Sequence, residues 1–189
     1  MEIYPKISSI HIWGHKRGQG TKVYKNNRIE FIVWIPKNGS STIRNRFNHI
    51  PDFFQNYEID NYIIFLRDPI KRWISGMVQY MARWDMFFKS LKDIDLNQME
   101  FDHHTVPQYE FLPDDYLGKS KFYNISNGGL HIFNNEYKVW NTGIPIKNQS
   151  EGQPFKEDLY KELMSIGIPT QRIKEYYSMD YKLLEACGY

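Results

Sequence analysis

Apolar positions fall along this chain in two rhythms. Ile29-Glu-Phe-Ile-Val-Trp-Ile35 and Tyr62-Ile-Ile-Phe-Leu66 are short apolar runs rich in β-branched and aromatic residues, which predicts buried strands. Pro36 ends the first, and Arg67-Asp68-Pro69 ends the second. In contrast, Ile70, Trp73, Ile74, Met77, Tyr80 and Met81 recur at steps of three and four. That period predicts an amphipathic helix to about Trp84, with Asp68 as its N-cap and Pro69 in its first turn. Upstream, Gly18, Gly20 and the Asn26–Asn27 pair are turn formers, so residues 7–35 read as strand, loop and hairpin.

Between the two apolar runs, Lys37-Asn-Gly-Ser-Ser-Thr42 is a polar, turn-like loop, with Ser or Thr available to cap a helix through about Phe47. Residues 95–118 are polar, contain Pro107 and Pro113, and read as irregular loop. Lys121–Ile125 reads as a third strand and Lys138–Trp140 as a further short one. Helical period returns over Phe155–Ile166 and in a segment started by Pro169 that ends near Gly188. Strand–loop–helix twice over predicts an α/β fold, a sheet flanked by helices. Ligands in such folds bind outside the carboxyl ends of the strands, the edge on which loops 36–42 and 67–69 fall.

Composition narrows the class. With 189 residues, 41% hydrophobic and 16% aromatic, the chain reads as a single domain over 1–189 and not as a disordered one. A net charge of +2 argues against a strongly charged nucleic-acid or membrane binder. Cys187 is the one cysteine, so neither an internal disulfide nor a cysteine-rich zinc site can form. No stretch approaches 18 uninterrupted apolar residues, and the expected setting is soluble and cytoplasmic. Residues 1–28, an N-terminal strand and hairpin extension, carry no assignable role.

Candidate chemistry concentrates in the two polar loops. Gly39 can take a positive φ and let the backbone wrap an anion, which the N–H groups of Gly39 to Thr42 would meet at a helix N-terminus. Lys37 adds a cation; Asn38, Ser40, Ser41 and Thr42 add polar groups. The loop is not a Walker A sequence, which ends in Gly-Lys-Ser/Thr. The bland reading is an N-capped helix with Lys37 solvated. Arg67 and Ser75 offer a donor fork and a hydroxyl suited to a phosphate, against the alternative that Arg67 pairs with Asp68 and Ser75 is incidental.

Together, the segments PKNGSST (36–42) and RDPIKRWISG (67–76) resemble those of the carbohydrate sulfotransferases that use 3′-phosphoadenosine 5′-phosphosulfate. Asp102-His-His-Thr-Val-Pro-Gln108 is similar to the Asp-x-His-Trp-x-Pro-Gln segment of Golgi-type members, with Thr105 where Trp is usual. Asn148-Gln-Ser150 resembles the Asn-x-Ser/Thr before the last helices, and Ile173 to Tyr189 resembles the closing Tyr-x-x-Asp-Tyr…Leu…Gly-Tyr pattern. The resemblance spans roughly residues 30–189. It implies a P-loop-like central parallel sheet and sulfuryl transfer from that donor to a hydroxyl, by resemblance that of a glycan, leaving 3′-phosphoadenosine 5′-phosphate.

On this reading Lys37 serves the leaving-group oxygen, Asn38 to Thr42 hold the 5′-phosphosulfate, and Arg67 and Ser75 hold the 3′-phosphate, with Arg72 a weaker candidate. Of the histidines (His11, His15, His49, His103, His104 and His131), His104 is the expected base by its place in the Asp-x-His segment. His103 and His49 are the alternatives. No metal is expected, since adjacent histidines point apart in most backbones. The competing classes are a nucleotide phosphotransferase and a non-catalytic binder of nucleotide or glycan.

Overall fold

The two apolar runs form neighbouring strands at the middle of the sheet. The computed structural model describes residues 19–47, 52–83, 95–141, 143–144, 154–186 and 188. Strand β1 (Gln19–Lys25) and strand β2 (Arg28–Val33) pair antiparallel, from Gly20 opposite Val33 to Lys25 opposite Arg28. The turn between them is Asn26–Asn27, at φ 50° and 61°. Two-residue hairpin turns need that left-handed backbone, and Asn tolerates it. The chain continues through α1 (Ser40–Arg46), a short β3 (Asp52–Phe53), β4 (Asn61–Leu66), α2 (Pro69–Arg83) and β5 (Ser120–Asn124). It then forms α3 (Gly129–Tyr137), α4 (Pro154–Ile166), α5 (Thr170–Tyr176) and α6 (Ser178–Ala186).

The α/β class is as expected, but the sheet is mixed. Its five strands run in the order β3-β1-β2-β4-β5. β2, β4 and β5 are parallel, whereas β1 pairs antiparallel with both β2 and β3. The expected parallel sheet therefore holds only for β2, β4 and β5. The tight Asn26–Asn27 turn returns the chain antiparallel, because a parallel partner needs a crossover of a dozen or more residues.

Helices cover both faces, which is why residues 31–33 of β2 and 62–66 of β4 read as unbroken apolar runs. Phe31, Val33, Tyr62, Ile64 and Leu66 pack on one face against Val106, Phe111, Leu112 and, from α6, Leu183 and Leu184. Ile32, Ile63 and Phe65 face the other way, onto Ile43 of α1 and Phe133 of α3. Each fully buried side chain of this kind contributes roughly 1.5–3 kcal/mol. A third cluster holds α2 against α4 and α5 through Trp73, Met77, Leu163, Ile173 and Tyr177. Among the described residues no helix is long and apolar enough to cross a membrane.

Three local expectations need correction. Lys138–Trp140 is not a strand: it follows α3, whose Asn134 side chain bonds both the N–H and the carbonyl of Trp140. α1 has no Ser or Thr cap; its N-cap is Gly39, at φ 74° with no side-chain bond. The last helix is two, α5 and α6, divided at Tyr177, whose hydroxyl donates to the Thr105 carbonyl. Trp84, the expected end of α2, the first 18 residues, the Asn148–Ser150 segment and Cys187 lie outside the described residues.

α2 sets the depth of the site through one glycine. A Cβ on Gly76 would stand 2.6 Å from the His104 carbonyl oxygen, so α2 and the 102–106 segment touch backbone to backbone. Gly76→Ala is expected to lower stability by about 1–3 kcal/mol, the usual cost of overpacking, read as a lower denaturant midpoint at unchanged m-value. An unaltered midpoint would mean that this contact is loose.

Candidate functional site

The carboxyl ends of the parallel strands converge, and the expected loops lie there. After β2 the chain runs through Pro36, Lys37, Asn38 and Gly39 as a turn, closed by Asn38 N–H donating to the Ile35 carbonyl at 3.1 Å. Lys37 and Gly39 both adopt left-handed backbone, at φ 67° and 74°. For Gly39 that costs nothing; for Lys37 it is strain of about 1–2 kcal/mol. Buried Asn38 fastens the loop to the sheet, its Nδ2 donating to the Phe65 carbonyl at 2.6 Å and to Gln108 Oε1 at 2.5 Å. Ser40 is buried, while Ser41 and Thr42 are half-buried on the first turn of α1.

Two arginines brace the same loop. Arg67 Nη1 donates to the Lys37 carbonyl at 3.1 Å, and Arg72 Nε to the Pro36 carbonyl at 3.1 Å. Arg72 is fully buried, and its Nη1 also donates to the Val106 carbonyl at 2.5 Å. Its Nη2 has no hydrogen-bond partner among the described residues. Burial pushes both guanidinium pKa values down, and the charge of Arg72 lowers that of Arg67 further; Asp68 opposes this at Arg67, as Asp180 and Asp102 do at Arg72. Neither arginine has a carboxylate within ion-pair distance among the described residues.

The acids nearby are engaged by other donors. Asp68 caps α2, its Oδ1 accepting from Lys71 N–H at 2.8 Å as expected, and so does not pair with Arg67. Asp68 N–H donates to Ser126 Oγ at 3.3 Å, which brings the end of β5 to the site. Further along α2, Gln79 Oε1 accepts from Lys37 Nζ at 3.2 Å. Half-buried Ser75 lies between Arg72 and Gln79, at the three- and four-residue steps that share one helix stripe.

The 101–105 turn carries the histidines. Thr105 Oγ1 accepts from the N–H groups of Phe101 and Asp102, at 2.7 and 3.1 Å, and donates to the Asp102 carbonyl at 2.9 Å. That knot holds buried Asp102 so that Oδ1 accepts from His104 N–H and Oδ2 meets His104 Nδ1, each at 2.8 Å. Burial pushes the Asp102 pKa up, but the hydrogen bond and charge of His104, with the charge of His103, outweigh it and leave the carboxylate below its ordinary value. An ionised carboxylate only accepts, so His104 Nδ1 is the donor in this contact, and Nε2 is the nitrogen that Asp102 does not meet.

His103 is buried, and its ring lies 3.9 Å from that of His104, tilted by 38°. The two rings do not point apart, contrary to expectation, because the Thr105 turn folds them together. Ligand atoms of Asp102, His103 and His104 fall within 4.8 Å of one another, so this trio is the group of described residues able to hold a metal ion. His49, the third candidate base, with His11 and His15, lies outside the described residues.

The structure thus joins Arg67 to Lys37 by a direct hydrogen bond, ties Arg72 to the adjoining Pro36 and Asn38 to Arg67 through Gln108, and places Asp102–His104 against α2 through Gly76. Gln79, Ser126, Gln108 and Asp180 were not singled out by the sequence. Gln108 and Asp180 each fall within a segment that carries the resemblance, and Gln79 is one turn beyond Ser75; Ser126 meets the loops only through tertiary folding. Comparison with models of known protein families, with curated proteins and with solved structures finds no match.

Proposed function

We propose that this protein transfers a sulfuryl group from 3′-phosphoadenosine 5′-phosphosulfate to a hydroxyl, with a carbohydrate as the acceptor class. The observation that carries the reading is the Arg67–Arg72 pair. Two guanidiniums within each other's field, one fully buried, lie behind a single turn and meet carbonyls in place of carboxylates. Such a cation pair is costly unless an anion binds beside it, and a phosphate group answers that need. The motif resemblance names which phosphate-bearing donor.

When bound, the donor supplies an S–O bond whose electrons leave on a phosphate oxygen. Lys37 meets the charge that develops there, a preorganised electrostatic role. The backbone and hydroxyls of Asn38 to Thr42 hold the 5′ end, and Arg67 with Ser75 holds the 3′-phosphate. His104 Nε2 takes the proton of the attacking hydroxyl, and Asp102 stabilises the imidazolium that results. Acceptor oxygen to sulfur is the bond formed, and sulfur to the bridging phosphate oxygen is the bond broken. His103, whose ring lies tilted against that of His104, helps to set the position of that ring.

Calorimetric titration with 3′-phosphoadenosine 5′-phosphate is expected to show binding that ADP, lacking the 3′-phosphate, does not match. In Arg67→Ala the affinity should fall about 10–150-fold, the equivalent of 1.5–3 kcal/mol for a charged hydrogen bond. Equal binding of ADP would overturn the donor assignment. In single-turnover kinetics, His104→Ala should slow the chemical step about 10²–10⁴-fold with donor binding intact. Lys37→Ala should abolish most turnover without loss of fold. A full rate in either variant refutes the role given to that residue.

A further inference from the structure

One buried amide joins the two loops and the end of the chain. Gln108 is 0% exposed, and its side chain uses every hydrogen-bonding position it has. Oε1 accepts from Asn38 Nδ2 at 2.5 Å and from Arg67 N–H at 2.9 Å. Nε2 donates to the Arg67 carbonyl at 2.9 Å and to Asp180 Oδ2 at 3.2 Å. Asp180, on α6 and 0% exposed, also takes the backbone N–H groups of Gln108 and Tyr109, at 2.8 and 3.0 Å. The partners lie 41, 70 and 72 residues from Gln108, so no local turn explains the arrangement.

We propose that Gln108 is a positioning residue that sets the Lys37 loop against the Arg67 turn, and that Asp180 on α6 fixes it in place. The claim that this geometry serves a phosphate-bearing donor rests on the function proposed above; the mechanical claim does not. An amide is the required group. It accepts from both loops on one atom and donates to a carbonyl and a carboxylate on the other, which neither a carboxylate nor an apolar side chain can do. The chain of contacts runs from loop to α6, and on this proposal binding in the loop and docking of α6 favour each other, by the same factor in each direction. Donor binding therefore tightens the C-terminal helix, far away in sequence.

Amide hydrogen exchange on the full chain tests the mechanical claim without ligand. In Asp180→Asn and Gln108→Leu, exchange over residues 35–39 and 66–68 should rise about tenfold or more, the equivalent of about 1.4 kcal/mol, with the core amides of β2 and β4 unchanged. Affinity for 3′-phosphoadenosine 5′-phosphate should fall by a similar factor, and in wild type that compound should slow exchange over 178–186.

Gln108→Leu strands several buried polar groups, so a failure to fold there leaves Asp180→Asn and a paired variant to decide. Gln108→Glu alone sets two carboxylates face to face. Combined with Asp180→Asn it regains a donor–acceptor pair, and it should recover part of the loop protection lost in Gln108→Glu. Unchanged loop exchange in Asp180→Asn, a uniform rise across the core, or no recovery in the pair overturns the proposal. If wild type shows no binding, the donor reading fails while the exchange comparison still decides the role of Gln108.

Discussion

A guanidinium withdrawn from water must be met by something, and Arg72 imposes that condition on everything around it. Fully buried on α2, it is met by carbonyl dipoles: Pro36 on Nε and Val106 on Nη1. Those two bonds attach the loop after β2 and the segment before Gln108 to the same helix. The consequence is directional. A carbonyl aimed at Arg72 turns the next N–H of its trans peptide plane, that of Lys37, the other way. Arg67 repeats the device one residue on, holding the Lys37 carbonyl so that Asn38 N–H closes the turn onto Ile35. The loop's shape is thus dictated by cations behind it, and the same cations supply the field in front of it.

The strands and α2 were legible because their burial is locally written. β2 and β4 are covered on both faces and so are apolar throughout residues 31–33 and 62–66, and α2 buries one stripe under Trp73 and Met77. Asp68 and Pro69 announce a helix start by chemistry that needs no tertiary context. The misreadings share a cause with α3, a helix for which the sequence offered no prediction. α3 is Gly-Leu-His-Ile-Phe-Asn-Asn-Glu-Tyr, poor in strong helix formers, and it stands because Phe133 packs among Phe65, Tyr123 and Tyr137. Val139 and Trp140 look like a strand because they are apolar, but they are apolar because they tuck under that helix. Residues Thr170 to Ala186 keep helical period throughout; Tyr177 divides them because its hydroxyl meets Thr105, a partner 72 residues away.

The candidate site divides in the same manner. Lys37, Arg67, Ser75 and the histidines could be singled out because residue type and order carry them. Gln108 and Asp180 could not be given roles, since a buried Gln and a buried Asp are defined by whom they meet. Burial pushes the Asp180 pKa up, and Arg72 with the donors from Gln108 and Tyr109 offsets this only in part, leaving it above the ordinary value. The Thr105 hydroxyl ties Phe101, Asp102 and itself into one turn. That turn is what points Asp102 at His104 and folds His103 onto it.

Strain gives a separate line of argument about the loop. Lys37 is one of the few non-glycine residues in left-handed backbone among those described, and unlike Asn26 and Asn27 it is not a type that tolerates it. Beside it, Gly39 begins α1 without the side-chain bond that Ser, Thr or Asp would supply at that position. A Cβ there would approach Ile125 at 3.2 Å and Leu130 at 3.4 Å. A fold selected for stability alone would relax the lysine to Asn or Gly. This one keeps a strained cation, braces it with Arg67 and Arg72, and anchors the next residue through Asn38 to Gln108. Strain held by its surroundings at one turn, with positive charge concentrated there, is what the proposed anion site would require.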